Sequence, residues 1–240
     1  MKNKYKYLII SIATIIMLVS IPVGKVVLDG YFGYKQAINN ISIDEKIEEI
    51  RNSANYVKFE NIDKDFVDAI ISVEDHRFYE HNGLDFISIL RAAVKNIQAG
   101  KIVQGGSTIT QQLAKNLYLN GDREFSRKVS EAFLVNDLEK KYSKNEIFEI
   151  YENIINYGNG YIGIKEASEG YFGEESDDLN LKQATMLAGL PQSPKRYNPT
   201  KYYDKALARQ KDVIAAMQKY GDIDYKEDYY ILAERDFNLA

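Results

Sequence analysis

Apolar residues in this chain return every three or four positions and almost nowhere alternate, so the sequence commits to helices. Phe66, Val67, Ile70, Ile71 and Val73 mark one helix, ending at Glu74. Phe86, Ile89, Leu90, Ala93, Val94 and Ile97 form a second stripe, closed by Gly100. Thr108 with Gln111, and Ser143 with Glu146, have capping-box spacing, so a helix starts at each. The first of these carries Ile109, Leu113 and Leu117 inward and stops at Gly121; the second carries Ile147, Ile150, Tyr151 and Ile154 and stops at Gly158. A helix follows Ser126, burying Val129, Ala132, Phe133 and Leu138. Asn180 opens a short helix that Pro191 ends, and Lys201–Tyr220 forms the last long one, with Gly221 past its end. A mainly α fold is the expectation, in a chain of 240 residues that can bury a core without staples.

The N-terminus reads differently. Lys2, Lys4 and Lys6 precede an apolar stretch from Tyr7 to Gly24, about the short end of a membrane-spanning length. No small-x-small cleavage site follows it, so an uncleaved anchor is expected rather than a signal peptide. The lysines favour N-in, C-out orientation. The division is a cytoplasmic N-terminus at 1–6, a transmembrane anchor at 7–24, a juxtamembrane connection with one charged helix at 25–58, and a single domain at 59–240. The expected location is a single-pass protein of the cell membrane, its domain extracytoplasmic.

A net charge of −4 gives no global basic field, which argues against nucleic acid as a partner. Any anion site must be local. With no cysteine there is no disulfide and no thiolate metal site.

Two segments carry more polar groups than a core can want, since each buried one needs a partner. The first, Glu74 to Asp85, holds acids, aromatics and both histidines, His76 and His81. The second, Gly105 to Asn116, is a glycine pair followed by small polar, amide and cationic residues. Glu74 ends an apolar helix, a setting that suits a general base or acid; a surface glutamate at a helix C-terminus is the plainer reading. The two histidines with Glu74, Asp75 and Asp85 could instead bind a metal, but their spacing matches no standard motif, and no protein-held metal is expected. Gln111 and Lys115 share a helix face, as do Arg127 and Glu131. Lys115, Arg127 and Lys128 either line a phosphate-binding cleft or make ordinary surface ion pairs, and spacing does not decide between these.

Five ordered motifs resemble those of the family 51 peptidoglycan glycosyltransferases, found in class A penicillin-binding proteins and in free-standing transglycosylases. They are Glu74-Asp75-x-x-Phe78-x-x-His81-x-Gly83-x-Asp85; Gly106-Ser107-Thr108-Ile109-Thr110-Gln111-Gln112-Leu113-x-Lys115-Asn116; Arg127-Lys128-x-x-Glu131; Lys144 through Tyr151-x-Asn153, Gly158, Gly163-Ile164 and Tyr171-Phe172; and Ala184 through Leu190-Pro191 to Tyr197-Asn198-Pro199. The resemblance covers about residues 60–200. Glu152 stands where the family has an apolar residue, and Ser168 where a second alanine is common.

The resemblance implies a lysozyme-like helical glycosyltransferase domain that polymerises lipid II with inversion at the anomeric carbon and releases undecaprenyl pyrophosphate. It makes Glu74 the base for the acceptor hydroxyl. Glu131 holds the donor end, and Lys115 and Arg127, with Lys128 beside them, neutralise the leaving group. It also makes Asp75, Phe78, His81, Ser107, Thr108, Gln111, Gln112, Asn116 and Asn198 substrate-binding or orienting groups. No cofactor is bound tightly, but a divalent cation (Mg or Mn) is implied at the pyrophosphate. Lipid II, the growing strand, the membrane and cell-wall synthesis or division proteins are the implied partners. No Ser-x-x-Lys transpeptidase motif follows the fifth block, so a monofunctional enzyme is expected. The competing readings are a lytic transglycosylase or hydrolase, which would need a protein acid, and a non-catalytic lipid II-binding scaffold. Phe86, Ile87, Ile89, Leu90 and Ile102 are candidate lipid contacts, though Ile89 and Leu90 are expected in the core; Ile102 and Val103, between Lys101 and Gln104 in the glycine-bearing loop, suit insertion best.

Overall fold

The computed structural model describes residues 2–101, 105–119 and 125–221; for most of residues 2–19 it describes the backbone and not the side chains. Ile102, Val103 and the helix stop read at Gly121 lie outside the described residues.

The chain is mainly α, as expected. In order come α1 (Lys2–Asn40), α2 (Ile43–Arg51), a 3₁₀ turn (Phe59–Asn61), α3 (Lys64–Glu74), α4 (Phe86–Ala99), α5 (Ile109–Tyr118), α6 (Phe125–Lys141) and α7 (Lys144–Ile154). An antiparallel pair, β1 (Asn156–Gly158) and β2 (Tyr161–Ile162), precedes α8 (Ile164–Phe172), α9 (Leu181–Ala188) and α10 (Tyr203–Tyr220). The capping boxes at Thr108 and Ser143 both form, and Asn180 makes a third with Gln183. Each satisfies backbone N–H groups that a helix start leaves orphaned.

The core is one cluster. Phe66 and Ile70 of α3, Ile109 and Leu113 of α5, Leu134 and Leu138 of α6, Ile147, Phe148 and Tyr151 of α7, and Leu187 of α9 are all fully or almost fully buried in it. α3 packs on α9 and α10, and α5 packs on α6 and α7. The polar segments at the end of α3 and the start of α5 are thereby brought side by side.

Three features depart from the sequence reading. Within the juxtamembrane connection read at 25–58, Tyr34, Ile43, Ile47 and Val57 enter the core, and α1 lies along α6. The approach is close at Gly30, where a Cβ would overlap the Cβ of Val129 and the carbonyl of Ser126. Second, α4 buries only Ala92. Its stripe faces outward, leaving Phe86 73 %, Leu90 67 % and Ile97 80 % exposed, because periodicity shows that a face is apolar but not what covers it. Third, α7 ends at Ile154, and Gly158 turns the small hairpin instead of capping a helix.

Among the described residues no helix is long and apolar enough to cross a membrane. The side chains of most of the expected 7–24 span lie outside them.

Candidate active site

A cleft of about 720 Å³ opens between the end of α3, the start of α5, α6 and α10. Glu74, Asp75, Ser107, Thr108, Gln111, Gln112, Lys115 and Glu131 all line it. α3 delivers Glu74 as its last helical residue, because Asp75 leaves the helix with φ −157°. The Asp75 carboxylate then accepts from the Ile109 N–H at 3.0 Å and from His81 Nε2 at 2.9 Å. It thus ties the first motif to the N-terminus of α5, where a negative charge also suits the helix dipole. His81 Nδ1 accepts from the Gly83 N–H at 3.1 Å, which assigns the proton to Nε2. Gly83 has φ +84°, and a Cβ there would strike Val135, so only glycine fits this knot.

Adjacent residues of α5 serve two carboxylates. Gln111 Nε2 donates to Glu131 Oε1 at 2.8 Å, and Gln112 Nε2 donates to Glu74 Oε2 at 2.9 Å. Glu131 is 1 % exposed, and Lys128 Nζ bonds its Oε1 directly. Arg127 Nη1 lies 3.7 Å from Glu131 Oε2, an ion pair too long for a hydrogen bond. Arg127 Nε and Nη1 are buried with no hydrogen-bond partner among the described residues. Lys115 projects exposed into the cleft with no carboxylate partner among the described residues. Lys115 and the Arg127 guanidinium thus keep donor capacity that no described residue takes up.

Sequence motifs did not point to α10. Its Arg209 donates from Nη2 to Glu74 Oε1 at 3.3 Å and from Nε to the Gly189 carbonyl at 3.3 Å. Both oxygens of Glu74 are therefore held, by Gln112 and by Arg209. A signal existed: Arg209 and Gln210 fall on the face carrying Ala206, Val213 and Met217, and a cation on a buried face needs a reason. Asp212, Lys219 and Tyr220 of the same helix also line the cleft. His76 stacks on Tyr220 with ring centroids 3.9 Å apart, and its Nε2 meets Arg91 Nη1 at 2.9 Å. Burial, then the Arg91 charge, pulls the His76 pKa down, so the ring is neutral at pH 7.

Other candidates sit elsewhere. Phe78 is in the core, so it cannot touch substrate. His81 is buried against Asp75 and positions the first motif rather than lining the cleft. Asn116 is exposed and off the cleft wall. Arg127 and Lys128 also lie off that wall and reach the cleft only through Glu131. Asn198 is 3 % exposed and spends its side chain on a turn: Oδ1 accepts from the Thr200 and Lys201 N–H groups, and Nδ2 donates to Asn159. Short-range polar bonding of this kind looks the same in sequence as ligand binding.

Among the described residues no three acids or histidines cluster to hold an ion, and both cleft glutamates already accept from protein donors.

Two carboxylates lining one cleft, Glu74 held by Gln112 and Arg209 and Glu131 beside Lys128 and Arg127, make a helical enzyme-type site. The chain belongs to the transglycosylase family, whose profile matches residues 43–218. It is 43 % identical over 168 residues to penicillin-binding protein 1A of Aquifex aeolicus, covering 70 % of this chain and 23 % of that one. It is likewise 43 % identical to penicillin-binding protein 1F of Bacillus subtilis, covering 71 % and 24 %. A putative transglycosylase of Cupriavidus necator is 39 % identical, covering 72 % of this chain and 74 % of that protein. The chain thus spans about a quarter of the length of the penicillin-binding proteins it matches.

Proposed function

We propose that this chain builds peptidoglycan glycan from lipid II as a glycosyltransferase. The acceptor 4-hydroxyl oxygen attacks the donor anomeric carbon from the face opposite the pyrophosphate. The new glycosidic C–O bond forms as the old C–O bond breaks, with inversion, and Glu74 takes the hydroxyl proton. The electron pair of the broken bond leaves on undecaprenyl pyrophosphate, which already carries charge and calls for cations rather than a protein acid. Lys115 meets that charge, and Arg127 and Lys128 support it from beside Glu131. No step passes through a metal; any divalent cation would be held by the pyrophosphate itself.

The observation that carries this reading is the asymmetry of the cleft. Glu74 has both oxygens oriented, while Glu131 has Lys128 and Arg127 beside it, and Arg127 Nε and Nη1 are left without a hydrogen-bond partner among the described residues. A hydrolase that protonates a glycosidic oxygen would have no use for that second cluster.

The same proposal includes a membrane setting. Lipid II keeps its chain in the bilayer, so the cleft must open beside it. The anchor at 7–24 would hold the domain outside the cytoplasm, and the uncovered face of α4 (Phe86, Ile87, Leu90, Val94, Ile97) is suited to lie in the interface. Ile102 and Val103 follow α4 in sequence, and the same reading assigns them to lipid. Cell-wall synthesis or division proteins are its partners in this setting. The test is polymerisation of labelled lipid II in detergent or liposomes. Long glycan from the wild type and none from a folded Glu74→Gln protein is expected. Fragments released from finished wall instead would refute the reading.

A further inference from the structure

We propose that Tyr151 is a positioning residue for the reaction: its buried hydroxyl decides which end of the Gln112 amide faces Glu74. The inference rests on Glu74 being the general base. A glutamine side chain ends in an acceptor and a donor of nearly the same shape, and only the donor helps a carboxylate. Something must choose between them.

Tyr151, on α7, is fully buried in the core, so sequence reading sees only a core aromatic. Its hydroxyl lies 3.2 Å from Gln112 Oε1 and has no other hydrogen-bond partner among the described residues. Burial, then the charges of Glu74, Glu152 and Asp75, drives its pKa well above the usual tyrosine value. The hydroxyl therefore keeps its proton wherever the protein is folded and has it to donate. It gives that proton to the amide oxygen, which leaves Gln112 Nε2 to meet Glu74 Oε2 at 2.9 Å. A reversed amide would set oxygen against carboxylate oxygen. Three helices, α7, α5 and α3, are thus joined in a one-way chain from hydroxyl to amide to base. With Arg209 on the other oxygen, the chain keeps Glu74 aimed, with lone pairs left for the acceptor hydroxyl.

The experiment is a set of pH–rate profiles for lipid II polymerisation by the full chain: wild type, Tyr151→Phe, Gln112→Met and the double variant. Tyr151→Phe removes one oxygen and keeps the ring. It should move the acidic limb of kcat upward by about one pH unit. It should lower kcat about tenfold, the upper worth of one neutral hydrogen bond, with KM unchanged. The double variant should behave as Gln112→Met alone, because the hydroxyl acts only through the amide. A folded Tyr151→Phe protein with the wild-type limb, or losses that add in the double variant, overturns the proposal. If Tyr151→Phe does not fold, Gln112→Asn breaks the chain from its other end; the same upward shift supports the relay, and an unmoved limb refutes it. The underlying reading fails separately: a wild type that makes no polymer, or an active Glu74→Gln, removes the base and the relay with it.

Discussion

Replacing Glu152 by glutamine should stabilise the protein above neutral pH and not at pH 4. Glu152 is fully buried on α7; its Oε2 accepts from the Tyr157 hydroxyl, while Oε1 has no partner among the described residues. Burial is the main cause that raises its pKa from 4.5 to about 8; the Tyr157 bond opposes this and the Glu74 charge adds to it. The folded value lies above the unfolded one. Its contribution to stability is therefore fully present below pH 4.5 and is lost as pH rises through about 8. Between those values the unfolded chain has released the proton and the folded chain has not, so stability falls by about 1.4 kcal/mol per pH unit. At pH 7 the interval above 4.5 is 2.5 units, a cost of about 3 kcal/mol. Glutamine has the same shape, can still accept from Tyr157, and does not titrate. Its NH₂ inherits the unpartnered place, which costs about 1–3 kcal/mol, but independently of pH. The diagnostic is therefore the slope and not the absolute difference. Urea unfolding of both proteins from pH 4 to pH 9 measures it through the linear extrapolation. The gap should widen in favour of Glu152→Gln as pH rises and flatten above about 8. Parallel stability curves would show that Glu152 ionises in the folded protein as readily as in water, and the argument would be wrong.

Glu74→Gln should lower polymerisation by about 10²–10⁴-fold in a protein of unchanged far-UV spectrum, since only a positioned base is lost. Lys115→Ala should reduce lipid II turnover while changing stability by less than about 0.5 kcal/mol, as expected of an exposed, unpaired side chain; a sharp drop in melting temperature with activity spared would make it structural. Gly30→Val should destabilise by about 1–3 kcal/mol through overpacking against Val129 of α6, read as a lowered unfolding midpoint. Phe86→Ser with Leu90→Ser and Ile97→Ser should leave stability unchanged and reduce binding to liposomes; equal binding would remove α4 as a lipid contact.

Much of the fold was legible because helix signals are local. The capping boxes at Thr108 and Ser143, and the stops after Glu74 and at Gly100, depend on residues within a turn of one another, and each forms as read. α8 was less visible, because its start at Gly163 has no side-chain cap. The outward turn of the α4 stripe and the packing of residues 25–58 were not legible, for one reason. An apolar face is a local property, while its cover comes from elsewhere in the chain.

The site divides in the same way. Glu74, Glu131, Gln111, Gln112 and Lys115 could be named from their motifs, and all reach one cleft. Their residue types and helical phases are written in sequence. Asn198 and Phe78 share those motifs yet serve a turn and the core, and Arg209 lies outside them and touches Glu74. Only packing α3 against α10, and α5 against α6 and α7, could choose among these, because a side chain acts on whatever a distant helix brings within about 3 Å of it. The sequence alone determined which groups are available and which helices carry them. The tertiary structure decided which group meets which: Gln111 goes to Glu131, Gln112 to Glu74, and Tyr151 holds the amide between. Hydrogen bonds depend on distance and direction, and neither is fixed until the helices pack.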